Sequence, residues 1–170
     1  MSTKNKLKIE YVCGNLFDSI PQNTVVYIPH ICNDAGRMGS GFVVPLYTKW
    51  PIVRRIYLQL FKENKNNKLG QCQFIDVGIE SMVTVVNMIA QHGTISKENK
   101  KPIKYAALIK CMETVRNAFL DDVKYAPKIS HQIICPKFGS KLAGGSWSLI
   151  EELINEIWID AGISVTVYYL

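Results

Sequence analysis

The feature that most constrains this chain is an alternation of short runs rich in β-branched apolar residues with longer stretches of helical spacing. Residues 8–13 read as a strand ended by Gly14 and Asn15. Residues 24–29 (Thr-Val-Val-Tyr-Ile-Pro) read as a second strand, apolar at successive positions as a strand buried on both faces should be. Residues 39–50 open a short helix after a glycine-rich turn, and Pro51 suits the first turn of the next, where Ile52, Ile56 and Leu60, with Val53, Tyr57 and Phe61, recur at helical spacing. Residues 72–77 and 82–89 read as strands joined by a turn at 78–81, the first suited to a sheet edge. Residues 103–119 form an amphipathic helix whose stripe is Tyr105, Leu108, Met112, Val115 and Phe119, widened by Ile109. A buried strand over 131–135 stops at Pro136. A second strong helix follows over 147–159, with Ser146 as N-cap, Gly162 as terminator and Ile150, Leu153, Ile154, Ile157 and Trp158 inward. Residues 163–169 close the chain as a strand. The order β-β-α-α-β-β-α-β-α-β predicts an α/β fold, a three-layer α/β/α sandwich around a central mixed sheet, with residues 1–170 as a single domain.

Composition narrows the class further. With 170 residues, 48% of them hydrophobic and 20% charged, the chain is neither disordered nor of low complexity. No apolar run approaches the roughly 20 residues of a membrane helix, and residues 1–6 lead into no apolar signal region. A cytoplasmic, membrane-free protein is expected. Twenty Lys and Arg against fourteen Asp and Glu give +6, which suits an anionic partner or a solvated basic surface. Much of the excess lies in two Asn/Lys-rich tracts, 62–68 and 97–104, read as solvated loops or helix ends. There is no recognition helix, heptad or aromatic RNA-binding signature, so nucleic acid is not the expected partner. The five cysteines are odd in number and none has a metal-ligand spacing. Cys13, Cys72 and Cys135 sit in strand-like runs and read as free, buried thiols of a reducing compartment. Cys32 lies beside a polar loop and is the one candidate for a reactive thiol, although nothing local marks a lowered pKa. Neither metal nor cofactor is expected.

In open α/β sheets ligands sit at the carboxyl ends of the strands, and three segments there are unusual. The first runs from Pro29 through His30, Asn33, Asp34, Gly36, Arg37, Met38, Gly39, Ser40 and Gly41 to Phe42. Its glycines let backbone approach a ligand, and the following helix adds its positive end. The second, Pro136-Lys137-Phe138-Gly139-Ser140-Lys141-Leu142-Ala143-Gly144-Gly145-Ser146-Trp147, also links a buried strand to a helix and can cradle a diphosphate with its amides. Neither closes on the Gly-Lys-Ser/Thr of a phosphate-binding P-loop, and Gly36, Gly39 and Gly41 do not fit the dinucleotide fingerprint. The third is Asn87-Met88-Ile89-Ala90-Gln91-His92-Gly93, at the end of a central strand. Two anion-cradling loops on adjacent strands imply one ligand spanning both.

At these loops the chain resembles the macro domain family, the ADP-ribose-binding fold, over nearly its whole length. The nearest likeness is to the branch containing ADP-ribose 1″-phosphate phosphatases and terminal ADP-ribose protein glycohydrolases. The matching pieces are His30-x-x-Asn33, Arg37-Met38-Gly39-x-Gly41, Asn87-Met88-Ile89-x-Gln91, and Pro136-x-x-Gly139 running to Ala143-Gly144-Gly145-x-Trp147. The resemblance implies that Asn15 and Leu16 meet adenine, Asn15 standing where the family commonly has Asp. It sets Asn33 and Asp34 against the distal ribose and brackets the diphosphate between Met38–Phe42 and Gly139–Leu142. Tyr168, Tyr169 and Leu170 are expected near adenine, and Lys137 and Lys141 as anion contacts. The glycohydrolase lysine falls at Ala90 or Gln91 and its aspartate at Ala143, so a Schiff-base route is unsupported.

The expected function is therefore ADP-ribose binding with metal-independent hydrolysis of the terminal phosphate of ADP-ribose 1″-phosphate. His30, Asn33 and Asp34 are the catalytic candidates, His30 or Asp34 orienting or deprotonating water with His92 assisting. The alternatives are a non-catalytic ADP-ribose reader, a hydrolase freeing ADP-ribose from protein or nucleic acid, and binding of nucleic acid by charge alone.

Overall fold

The computed structural model describes residues 6–63, 68–78 and 82–170. Strands and helices follow in the expected order: β1 (Glu10–Cys13), β2 (Thr24–Asn33), α1 (Val43–Lys49), α2 (Pro51–Glu63), β3 (Cys72–Asp76), β4 (Val83–Gln91), α3 (Tyr105–Tyr125), β5 (Ser130–Pro136), α4 (Trp147–Ile154) and β6 (Val165–Tyr169). Six strands form one sheet in the order β1-β6-β5-β2-β4-β3. All neighbours are parallel except β3, which runs antiparallel to β4 at the sheet edge. Of the turn expected between β3 and β4, residues 79–81 lie outside the described residues, as do 64–67 of the first Lys/Asn-rich tract.

The layers follow from the two-residue period of the strands. Val26 and Ile28 of β2 and Val83 and Val85 of β4 point to one side, where they pack with Leu46 of α1 and Val53 of α2. Tyr27 of β2 and Val86, Met88 and Ala90 of β4 point to the other, against Leu108, Met112, Val115 and Phe119 of α3 and Ile150 and Ile154 of α4. A helix pair on each face is why the central strands are apolar at successive positions instead of alternating.

Several boundaries differ from the sequence reading, each for a local reason. Ile103 does not open α3: it bridges Gln91, and its N–H donates to Ala143 O (3.0 Å). The helix begins at Tyr105 and runs past Phe119 to Tyr125. The last helix is α only to Ile154 and then widens to a π-helical turn, Asn155–Ile159. The wider turn buries three successive residues, Ile157, Trp158 and Ile159, and the Trp158 indole N–H donates to Met112 O (2.9 Å). Ser146 occupies the N-cap position without a side-chain cap bond; its hydroxyl pairs with that of Ser148 (2.9 Å). Among the cysteines, Cys13 is exposed and Cys72 half-buried, against the expectation of burial, because both lie at sheet margins. Cys32 is 4% exposed and burial pushes its thiol pKa up, so it does not serve as a reactive thiol. Among the described residues no helix is long and apolar enough to cross a membrane.

Candidate functional site

The site begins with a proline inside a central strand. β2 pairs with β4 from Val26 to Asn33, but with β5 only from Thr24 to Tyr27. The strand therefore does not end at Pro29, where the sequence reading placed its end. The Val26 N–H donates to Met82 O, on the β4 side (2.8 Å), so by alternation the nitrogens of Tyr27, Pro29 and Ile31 face β5. Pro29 offers no N–H, and it stands where β5 is no longer a partner. Meanwhile β5 keeps pairing with β6 through Pro136. The two strands part at their carboxyl ends, and a cleft of about 550 Å³ opens between the loops that follow them.

The register then aims the polar residues. His30 and Asn87 are direct cross-strand partners, and Asn87 in turn faces Gln73 of β3. His30 Nε2 lies 2.6 Å from Asn87 Oδ1, and Asn87 Nδ2 donates to Gln73 Oε1 (3.1 Å). An amide oxygen only accepts, so Nε2 carries a hydrogen in this pair. Burial lowers the His30 pKa to about 4, opposed by its hydrogen bonds to Asn87 and the backbone at Ile31. A bulge between Cys32 and Asn33 sets Asn33 opposite Gln91.

Asn33 organises the first loop. Its Oδ1 accepts from the N–H groups of Ala35 (3.0 Å) and Arg37 (3.1 Å) and from the Tyr57 hydroxyl (2.8 Å), and its Nδ2 donates to Arg37 O (2.5 Å). Asp34 faces away from the cleft: its two oxygens take His92 Nδ1 (2.7 Å) and the Gly93 N–H (2.8 Å). That tether secures the segment carrying Thr94 and Ile95, which form a third wall. Gly41, at φ +77°, closes the loop, and Leu142 from the opposite loop lies where a Cβ there would come within 3.0 Å.

The second loop leaves β5 with the Lys137 N–H bonded to Tyr168 O (2.9 Å) and folds back so that the Gly145 N–H meets Gly139 O (2.8 Å). Gly139, at φ +80°, leaves no room for a side chain against Ile150. Among the described residues, the backbone N–H groups of Met38–Phe42 and of Gly139–Leu142 have no intramolecular acceptor.

The cleft brings together His30, Asn33, Arg37, Met38, Gly39, Ser40, Gly41, Phe42, Gln91, Pro136, Lys137, Phe138, Gly139, Lys141 and Leu142. It does not include Asn15, Leu16, Asp34, Ser140 or Tyr169. Asn15 caps the single 3-10 turn Leu16–Asp18 by accepting the Phe17 N–H (3.1 Å), and Leu16 is buried. Phe17 stacks on Phe42 (5.5 Å between centroids), which joins that turn to the cleft wall. Tyr169 packs edge-on to Tyr11 and stays exposed. The lining also takes in Ile31, Cys32, Val43, Thr94, Ile95 and Ala143. The sequence reading missed Thr94 and Ile95, which follow directly on the His92–Gly93 end of its third segment; nothing in the sequence pointed to Tyr57, which reaches Asn33 from α2. None of the lining residues is a carboxylate.

No family model matches the chain. A solved structure from Bacteroides thetaiotaomicron, described as a protein of unknown function, is similar at TM-score 0.85 and 35% identity, covering 98% of this chain and 100% of that one. Among curated proteins, the ADP-ribose 1″-phosphate phosphatase of Candida glabrata is 26% identical over 180 residues, 95% of this chain and 98% of the relative. A macrodomain protein from Streptomyces coelicolor is similar at TM-score 0.74 and 32% identity, covering 96% of this chain and 99% of that one. Likeness at that level, end to end and carried by the same mixed six-stranded sheet, shows that the chain belongs to the macrodomain family.

Proposed function

We propose that the chain binds ADP-ribose and its derivatives in this cleft and removes the terminal phosphate of ADP-ribose 1″-phosphate. The observation that carries the binding is the double row of amides without internal acceptors, Met38–Phe42 and Gly139–Leu142, on two loops that share one cleft. Such rows cradle a diphosphate, and Arg37, Lys137 and Lys141 add positive charge beside them. The phosphatase relative supports the reaction. In it water attacks phosphorus, inorganic phosphate leaves, and ADP-ribose keeps the hydroxyl; fixed N–H donors stabilise the charge that develops on the phosphoryl oxygens. In this reading His30, Asn33 and Asp34 are positioning residues: the first is locked in the sheet, the second builds the loop, and the third ties down the Thr94–Ile95 wall.

A second reading is a reader that binds ADP-ribose without turnover. It is favoured by the absence of a carboxylate from the lining, and by the resemblance, which sets Ala90 or Gln91 at the glycohydrolase lysine position and Ala143 at the aspartate position. Purified protein, calorimetry with ADP-ribose and a phosphate-release assay on ADP-ribose 1″-phosphate separate the two. Phosphate release above a heat-inactivated control supports the phosphatase; heat of binding with substrate recovered intact supports the reader; no binding of either compound removes both. Asp34→Asn keeps one acceptor oxygen for the Gly93 N–H and turns an amide donor toward His92 Nδ1 in place of the other; it retains release if Asp34 only positions and abolishes it if Asp34 is the base.

A further inference from the structure

A second depression lies on the outer side of the α1–α2 pair. It is lined by Tyr47, Pro51, Arg54, Arg55, Leu58 and Lys62, with a volume of about 340 Å³. Three of the six are cations and none is an acid. Arg54, Arg55 and Lys62 are exposed, and no salt bridge engages them among the described residues. The nearest acid along the helix, Glu63, is taken by Gln59, whose Nε2 donates to it at 2.5 Å. Charges of one sign gathered without counter-charges repel one another, and an anion that binds there relieves the repulsion.

The arrangement fits a chain better than a single ion. Arg54, Leu58 and Lys62 succeed one another at four-residue intervals on α2, so the two outer cations are about 12 Å apart along the axis. One phosphate cannot reach both; a run of phosphates can. The Arg54 guanidinium stacks on Tyr47 (5.2 Å to the ring centroid), which holds its plane while the N–H edge stays available to phosphate oxygens. Leu58, Pro51 and the Tyr47 ring give apolar contact to sugars or bases, a use that carboxylates on an acidic peptide do not make.

The depression also adjoins the cleft. Val43 lines the cleft and Tyr47 lines the depression, one helical turn apart on α1. Both pack on the same small cluster of Cys32, Met38, Tyr57 and Ile89. We propose that this groove is a docking surface for the phosphodiester backbone of single-stranded nucleic acid, which brings such a chain to the mouth of the cleft at its Met38 side. The groove rests on the ADP-ribose reading only for where it leads, not for what it binds.

The test uses the whole chain and a labelled 12-nucleotide single strand carrying no ADP-ribose, followed by fluorescence anisotropy. Each phosphate contact on a single strand contributes a slope of about −0.7 in log K against log salt, so three contacts weaken binding about 20-fold between 50 and 200 mM salt. Arg55→Ala with Lys62→Ala lowers affinity about tenfold and flattens the slope by about 1.4. Lys124→Ala, in the last turn of α3, with Lys128→Ala, in the connection after it, leaves both unchanged. Melting curves of each variant confirm folding, and ADP-ribose calorimetry on the groove variant matches the parent. Unchanged oligonucleotide affinity in the groove variant overturns the proposal. So does an equal loss in the Lys124/Lys128 variant, which would make the binding diffuse, or equal competition by a polyglutamate peptide of matched charge. Absence of ADP-ribose heat in the parent instead overturns the cleft reading and leaves the groove result standing.

Discussion

His30 is 2% exposed, and protonating its ring would put a charge among Phe42, the Cys32 sulfur and the Asn87 amide with no carboxylate in contact. Its folded pKa of about 4 lies below the unfolded value of 6.5. The unfolded chain therefore binds the extra proton between those limits and the folded chain does not, so this residue subtracts stability as pH falls from 6.5 toward 4 and adds nothing above 6.5. The full loss is about 3 kcal/mol. Urea unfolding at pH 7.5 and pH 4.5 should show that fall in the parent, and His30→Gln should have a visibly smaller fall. An equal pH dependence in the two proteins would mean that the ring reaches solvent or a counter-charge. The same burial that makes the ring a pH liability keeps it neutral and fixed, which is what a strand forming one side of a ligand cleft requires.

At the scale of elements, the two glycine loops do different work although their sequences look alike. Gly41 has φ +77° and faces Leu142 across the cleft. Gly139 has φ +80°, and a Cβ there would sit 2.6 Å from Ile150 on α4. Gly41→Val should strain one loop residue by about 1–3 kcal/mol and cost at least tenfold in ADP-ribose affinity, because the side chain takes the space between the loops. Gly139→Val should fail chiefly in stability, since it pushes on a core helix. Calorimetry and melting temperature on the pair check this, and an unchanged affinity in Gly41→Val would misplace the first loop. The contrast also shows what the sequence could and could not reveal. Strand and helix order, the edge position of β3, and the loops flanking the cleft were legible because hydrophobic period and glycine clusters are local signals. The continuation of β2 past Pro29 was not, because the rule against proline in central strands assumes a partner on both sides, and here β5 has already turned away. The turning of Asp34 toward His92 and Gly93 was equally hidden: its partners lie 58 and 59 positions further on. The Tyr57–Asn33 contact depends on how α2 packs, which no spacing encodes.

On the scale of the whole molecule, the cleft is the exposed end of the sheet's own architecture. Its walls come from β2, β4 and β5, the strands that also supply the two cores on either face. A ligand held there is lost when the sheet unfolds, so its binding energy couples to global stability and not to loop opening alone. At 100 times its Kd, ADP-ribose should stabilise the fold by about 2.7 kcal/mol. For a chain of this size 1 kcal/mol moves the melting temperature by about 2–4 °C, so the expected rise is about 5–11 °C. AMP, which spans only one part of the cleft, should give a smaller rise at equal concentration, and Gly41→Val, with affinity down at least tenfold, should show no more than about half the parent's rise with ADP-ribose. The groove variant Arg55→Ala with Lys62→Ala should keep the full rise, because those side chains stand outside the cleft. If calorimetry showed saturation and the melting temperature did not move, the ligand would be leaving before the sheet melts. The site would then belong to locally unfolding loops, not to the ends of these strands.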